Sequence, residues 1–96
     1  MLRAMIIKFN HKGLKRFFET GSKSGIQSKH EEQLRLILAL LNAATKPEDM
    51  ELPGLKLHKL IGDRKSTWSV RVSGNWRITF IFNDKNADDV NYEDYH

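Results

Sequence analysis

Apolar positions in the first half of the chain recur at helical spacing. They predict an α-helix over about residues 28–43, since the large apolar side chains of this segment fall on one helix face: Leu34, Ile37, Leu38 and Leu41. Ser28 and Glu31 have the spacing of a capping box, which indicates where this helix begins.

A short apolar segment and another helix precede it. Met5–Phe9 predicts a first strand. A helix over about residues 11–20 is predicted next, with Asn10 as its N-cap and Gly21 at its end. We expect His11 at the start of this helix, and His30 near the start of the following one, to be exposed.

Alternating apolar and polar residues make the second half rich in predicted strands. These strands are Leu55–Leu60, Thr67–Val72, Trp76–Phe82 and Val90–Tyr95. A three-residue loop between the second and third would place apolar pairs on the face that packs on the helices: Val72 with Trp76, Val70 with Ile78, and Trp68 with Phe80. A two-residue loop would mix polar and apolar side chains on each face.

The same register places like charges opposite each other on the other face. Arg71 falls opposite Arg77, and Ser69 falls opposite Thr79. Like charges at this distance destabilise a sheet by about 0.2–1 kcal/mol, so we expect something negative to offset the repulsion. It is either the acidic final strand or a bound phosphate, and both can hold together if Asp94 and a substrate phosphate share the arginines.

The order of elements predicts the fold class. We expect an α+β protein of order β-α-α-β-β-β-β, with two N-terminal helices on one face of a mostly antiparallel, twisted sheet. Residues 1–96 fit a single domain, because a chain of this length holds one hydrophobic core. Residues 1–4 are expected to be a disordered extension, with Met5 as a second candidate start.

Charge is distributed unevenly along the chain. The net charge is +4, yet residues 84–96 carry five acids against one lysine, or −4, which leaves +8 for the other 83 residues. Residues 55–77 alone carry +5. A basic middle segment favours a polyanionic partner such as nucleic acid, although scattered surface lysines would give the same count. The chain has no cysteine, which suits the cytosol, and no apolar run long enough to span a membrane.

Several acid/base and cationic residues could act on such a polyanion. If it is RNA, cleavage without a metal needs a base for the 2′-hydroxyl, an acid for the leaving 5′-oxygen and cations for the phosphate. A sufficient set is present in His58, His96, Asp94, Arg71 and Arg77. A lone strand histidine is more often a surface residue, and Tyr92 and Tyr95 could stack on bases or simply pack at the sheet edge. Composition and spacing therefore support nucleic-acid binding and leave catalysis open.

The second half of the chain also resembles a known family. Trp68–Phe80, preceded by Leu60–Arg64 and closed by Asn91–His96, is similar to the HigB toxins, the plasmid-maintenance killer branch of the RelE/ParE toxin superfamily. The similarity includes Ile7–Leu14, so it covers nearly the whole chain from Met5.

This resemblance implies a function and partners. It implies a RelE-like toxin of a type II toxin–antitoxin system, a ribosome-dependent endoribonuclease that cuts mRNA in the ribosomal A site without a metal or other cofactor. The implied partners are mRNA on the ribosome, with 16S rRNA contacts, and a HigA-like helix-turn-helix antitoxin. The implied location is the cytoplasm.

The resemblance further implies roles for individual residues. His58 and His96, together with Asp94, would transfer protons. Tyr95 would orient the nucleotide, and Arg77 would stabilise the phosphate.

Four more cations are expected to bind RNA, namely Arg71, Lys59, Arg64 and Lys56. Some relatives carry a lysine where this chain has Ile61. Lys59 is a candidate to replace it.

Two other functions remain open at this point. A ParE-like toxin would act on DNA gyrase and leave mRNA intact. A non-catalytic RNA-binding module would bind RNA without producing 2′,3′-cyclic phosphate ends.

Overall fold

The α+β class and the mostly antiparallel sheet are confirmed in a computed structural model that describes residues 5–64 and 66–94. Residues 1–4, Tyr95 and His96 lie outside the described residues. Two α-helices are followed by four strands: α1 (Lys12–Thr20), α2 (Glu31–Ala43), β1 (His58–Lys59), β2 (Trp68–Ser73), β3 (Trp76–Asn83) and β4 (Asn86–Asp94). Within the described part of the chain, no helix is long and apolar enough to cross a membrane.

Helix α1 begins one residue later than the sequence suggests. His11, and not Asn10, is its N-cap, because the imidazole Nδ1 accepts a hydrogen bond of 3.0 Å from the Leu14 amide. Gly21 ends the helix as predicted. It adopts a left-handed conformation with φ of 82°, and its N–H donates to the Phe17 carbonyl.

Helix α2 lies where the apolar spacing places it, but its predicted capping box does not form. A 3₁₀ turn over Ser28–His30 leads into the helix, and neither flanking residue caps it with a side chain. The Glu31 carboxylate instead binds Arg35 and Lys23. The carboxylate is therefore engaged on the helix surface and does not reach back to the backbone.

The four strands form one antiparallel sheet of order β1-β2-β3-β4. Strand β1 is shorter than predicted because Lys56 has a positive φ of 51°, which interrupts the extended backbone. The predicted first strand is reduced to two parallel bridges, Ile6 to Ala87 and Phe9 to Val90. Through these bridges residues 5–10 pair with the side of β4 that faces away from β3.

The β2–β3 register confirms most of the predicted pairs. Trp68–Phe80, Ser69–Thr79, Val70–Ile78 and Arg71–Arg77 are opposite each other. The prediction fails at the turn, where Trp76 pairs with Ser73 and not with Val72. A β-bulge between Arg71 and Ser73 absorbs Val72 as an extra residue, so a two-residue turn at Gly74-Asn75 closes the hairpin without mixing the faces.

Strand β4 begins earlier than predicted. Asp84 and Lys85 both have positive φ, 52° and 72°, which is the conformation of a tight two-residue hairpin turn. A second bulge lies at Asp89, whose φ is 53°, between the pairs Thr79–Asn91 and Ile81–Asp88.

Both helices and the inner sheet face enclose one hydrophobic core. Its fully buried members come from every layer: Leu14, Leu34, Ile37, Leu38, Leu41, Met50, Val70, Ile78, Phe80 and Val90. Trp68 and Trp76 are half-buried and pack against this core, as the pattern predicted.

Two histidines expected at the surface are instead packed around Tyr92. His30 is only 2% exposed, and its Nδ1 lies 2.6 Å from the Tyr92 hydroxyl. The hydroxyl accepts a hydrogen bond from the Gln27 amide, and it donates to His30 when the imidazole proton is on Nε2. The half-buried His11 ring meets Tyr92 edge-on, and Trp76 lies 4.6 Å from Tyr92 between ring centroids. This imidazole–tyrosine cluster (His11, His30, Trp76 and Tyr92) holds β4 against the helices.

A close backbone approach between Gly13 and Gly25 generates the first prediction. A Cβ at Gly13 would lie 2.5 Å from the Gly25 carbonyl oxygen and 2.7 Å from its Cα. Gly13→Ala should therefore lower the free energy of unfolding by about 1–3 kcal/mol, although at an open helix position the same change would raise it by about 0.5–1 kcal/mol. Urea denaturation measures the change. The exposed Lys15→Ala in the same helix is the control, and stabilisation by Gly13→Ala would contradict the contact.

The cluster also predicts acid sensitivity. Burial lowers the pKa of His30, with a smaller contribution from Lys29, and burial likewise lowers the pKa of His11. Below the ordinary histidine pKa of about 6.5, the unfolded chain therefore binds more protons than the folded chain does. Stability should be complete above about pH 6.5 and should fall below it by up to about 1.4 kcal/mol per pH unit for each histidine.

Denaturation curves at several pH values measure this loss, and His30→Gln should reduce it while keeping a polar partner for Tyr92. Parallel pH curves for the wild type and His30→Gln would contradict the assignment.

Candidate functional site

The sheet surface opposite the helices carries two rows of directly paired polar residues. One row runs His58, Ser69, Thr79, Asn91, and the other runs Arg71, Arg77, Glu93. Directly opposed residues of antiparallel strands share a face, so both rows belong to the same surface, called here the polar face.

A hydrogen-bonded network crosses the polar face and joins a loop to the last strand. Arg64, at the end of a 3₁₀ turn over Gly62–Arg64, binds both carboxylate oxygens of Glu93, with Nη1 to Oε1 at 3.0 Å and Nη2 to Oε2 at 2.6 Å. The Thr79 hydroxyl donates to the same Oε2 at 2.6 Å. These hydrogen bonds, Arg64 first, lower the pKa of Glu93 despite its partial burial, so the carboxylate is charged at neutral pH.

Arg77 stands beside this network but is not part of it. It lies opposite Arg71 on one side and Glu93 on the other. Its Nε and Nη1 are buried and have no hydrogen-bond partner, and no carboxylate in the described part of the chain forms an ion pair with it. Buried donors without partners are costly, especially on a charged group. An incoming oxyanion would satisfy them.

The offset expected for the facing arginines is therefore only partly present. The acidic final strand does lie alongside, as one sequence-based alternative required. The carboxylate opposite Arg77 belongs to Glu93, however, and Arg64 and Thr79 have already bound it. Asp94 lies opposite Trp76, one position further along β4, with an exposed side chain.

His58 occupies the outer end of the polar face on β1. Its ring is exposed, and Nδ1 lies 3.3 Å from the Lys56 carbonyl oxygen. Because neighbouring strands are about 4.8 Å apart, His58 on β1 is about 10 Å from β3 across the sheet. The β3 residue in line with His58 is Thr79, and Arg77 lies two residues further along that strand on the same face.

The expected RNA-binding cations do not all share this surface. Arg64 and Arg71 lie on the polar face. Lys59 pairs with Trp68, so it lies on the other side of the sheet, and its ammonium sits 5.8 Å from the Trp68 ring centroid. Lys56 is exposed just before β1. Ile61, at the position where some relatives carry lysine, is 92% exposed.

The remaining site predictions concern the chain end. Asp94 ends β4 and pairs with Trp76, so it lies on the face of Trp76 and not on that of Arg77. The expected sharing of the two arginines by Asp94 is therefore not supported by the strand register. Tyr95 and His96 lie outside the described residues, so their placement stays a prediction. Tyr92 is 5% exposed and packs inward, which removes it as a base-stacking residue. No cluster of three or more His, Cys, Asp or Glu side chains that could hold a metal occurs among residues 5–64 and 66–94.

Sequence reasoning missed the part played by Thr79 and Glu93. The alternation of β4, in which Val90 and Tyr92 point inward, already places Glu93 on the outer face with Arg77. The contact with Arg64 carries no comparable signal, because it depends on how the Gly62–Arg64 turn folds over the sheet.

Comparison with known proteins shows which family the chain belongs to. Residues 7–96 match the model of the HigB-like toxins, described as RelE-like toxins of the type II toxin–antitoxin system HigB. A protein of Proteus vulgaris named endoribonuclease HigB is 44% identical over 92 residues, which covers 96% of this chain and all of the relative. The chain belongs to the HigB-like toxin family of type II toxin–antitoxin systems.

Proposed function

We propose that the chain is an endoribonuclease that inhibits translation by cutting mRNA in the ribosomal A site. The observation that carries the proposal is Arg77, whose buried guanidinium donors lack a partner at the centre of a cationic sheet surface. The name of the Proteus vulgaris relative, with its 44% identity, supports RNA as the substrate.

The chemistry assigned to the polar face is attack of a 2′-hydroxyl on the adjacent phosphorus. One base removes the 2′-hydroxyl proton, the new P–O bond forms, and the 5′-oxygen leaves with a proton from an acid. The products are a 2′,3′-cyclic phosphate and a free 5′-hydroxyl. His58 and His96, with Asp94, supply the base and the acid, each contributing about 10² to 10⁴ in rate.

Arg77 and Arg71 stabilise the charge that develops on the phosphorane. Their mutual repulsion costs about 0.2–1 kcal/mol in the free protein and is relieved when a dianionic phosphorane lies between them. The substrate phosphodiester carries one negative charge and the phosphorane carries two, so the arginines interact more favourably with the transition state than with the bound substrate, which is how charge preorganisation accelerates a reaction. Tyr95 orients the nucleotide, and exposed cations such as Lys56 contact the RNA backbone or 16S rRNA.

The proposal also includes an antitoxin, a cellular location and a role for the ribosome. A HigA-like helix-turn-helix antitoxin neutralises the toxin, and the toxin acts in the cytoplasm, where ribosomes and mRNA are available. The ribosome completes the orientation of the mRNA over the polar face.

Cleavage chemistry is tested in a purified translation system. The wild-type chain should shorten a reporter mRNA and leave 2′,3′-cyclic phosphate ends, while the chain without His96 should lose activity by about 10² or more. Primer extension maps the cuts, and chemical analysis identifies the ends. Equal cleavage by both proteins would eliminate His96 as a catalytic residue. Intact mRNA with gyrase poisoning would favour a ParE-like action, and RNA binding without cleavage would favour a binding module.

Replacing Arg77 should lower the cleavage rate without lowering the free energy of unfolding. Arg77→Ala should lower the cleavage rate by about 10²- to 10³-fold, because it removes cationic stabilisation of the transition state. Its free energy of unfolding should stay equal or rise by up to about 1 kcal/mol, because facing charges are removed.

The control for this test is Arg16→Ala, an exposed arginine of α1 away from the sheet, which should change neither value. Loss of activity together with comparable loss of stability would mean that Arg77 is structural.

A further inference from the structure

Glu93 is the natural partner of Arg77 by position but not by contact. The two residues are directly opposed on β3 and β4, a relation in which opposite charges normally attract. The Glu93 carboxylate instead accepts three hydrogen bonds, two from Arg64 and one from Thr79. Arg77 is left with two buried donors that have no partner.

The geometry of these hydrogen bonds explains why the Glu93 carboxylate does not pair with Arg77. The Arg64 fork engages both carboxylate oxygens, and a bidentate arginine–carboxylate pair has a fixed planar arrangement. Thr79 is only 1% exposed, so its hydroxyl is held in place beneath the carboxylate. The Arg64 Nη2 group also reaches the Thr79 hydroxyl oxygen at 3.4 Å, which closes the network.

We propose that Arg64 is a positioning residue that binds Glu93 and thereby keeps Arg77 available for the phosphodiester of the substrate. This inference rests on the proposed function, because it needs Arg77 to be the phosphate-binding group. It differs from the expectation that Arg64 binds RNA directly. In this arrangement Glu93 is a latent competitor of the phosphate, and Arg64 and Thr79 prevent the competition.

A direct and a positioning role for Arg64 give opposite results in a double variant. Arg64→Ala should lower cleavage by about 10²-fold in either case, since Glu93 is released to neutralise Arg77 or since a phosphate contact is lost. Glu93→Gln removes the competing charge. If Arg64 acts by positioning, its removal has no further effect once the competing charge is gone, so Arg64→Ala/Glu93→Gln should cleave within about twofold of Glu93→Gln alone, a strongly non-additive result. If Arg64 binds phosphate, the double variant should remain as slow as Arg64→Ala.

A binding measurement separates this effect from general damage to the fold. The probe is a short RNA with a 2′-O-methyl group at the cleavage position, which binds but cannot be cleaved. Arg64→Ala should reduce the slope of log affinity against log salt by about 0.7, the value for one lost phosphate contact on a single strand. The double variant should recover that slope. A slope that stays reduced would overturn the positioning role.

A second set of variants, built on Thr79→Val, tests the proposal if Arg64→Ala does not fold. Thr79→Val removes one hydrogen bond to Glu93 while leaving Arg64 in place and preserving the shape of the side chain. It should slow cleavage, and Glu93→Gln should restore the rate in the Thr79→Val background. Failure of Glu93→Gln to restore the rate in this background would also overturn the proposal.

Arg77→Ala, measured in parallel, distinguishes a failure of the proposed phosphate site from a failure of the positioning role of Arg64. If Arg77→Ala cleaves normally, the phosphate site of the proposed function is wrong, and the positioning role fails with it. If Arg77→Ala is inactive and the double variant stays slow, only the role of Arg64 is wrong.

Discussion

The bond between Arg64 and Glu93 is the interaction on which the polar face depends. It joins the turn after β1 to the last strand, two parts of the chain that are 29 residues apart. Exposed ion pairs contribute little, but this one is bidentate and is supported from below by the buried Thr79 hydroxyl. The result is a surface on which a carboxylate is fixed to one arginine while its neighbour Arg77 remains cationic.

Strand β4 connects this surface with the core. Its outer residues face the arginines, and its inner residue Tyr92 is bonded to His30 beneath the sheet. Movement of the imidazole–tyrosine cluster would therefore shift the strand that carries Glu93 and Asp94. Burial raises the pKa of Tyr92, so its hydroxyl keeps its proton over the physiological range and stays hydrogen-bonded to His30.

Much of the fold could be predicted because it follows from local periodicity. The spacing of Leu34 and Leu38 defined α2, and alternation around Val70 and Ile78 fixed the facing of Arg71 and Arg77. The errors occurred where backbone detail or distant contacts decide the outcome. The bulge at Val72 changed one pair, and Lys56 shortened β1 through a positive φ that no pattern indicates. His30 was expected outside because a single histidine on a helix carries no sign that a tyrosine from the last strand will meet it.

For the candidate site, composition and resemblance identified the relevant residue types, and the structure supplied their relations. The sequence placed Arg64 among the RNA-binding cations, whereas its contact with Glu93 could be recognised only from the folded turn. Lys59 illustrates the converse. Its charge suggested RNA binding, but strand pairing puts it on the other side of the sheet, over Trp68.

The pairing of residues 5–10 with β4 has a consequence for the timing of assembly. The Ile7 amide donates to the Ala87 carbonyl across 80 residues of sequence, so this edge of the sheet closes only after Ala87 has been synthesised. Contacts of such separation form late, because a long loop must be closed first. A nascent chain thus has its helices before it has Glu93, and the polar face is assembled only after β4 has been synthesised.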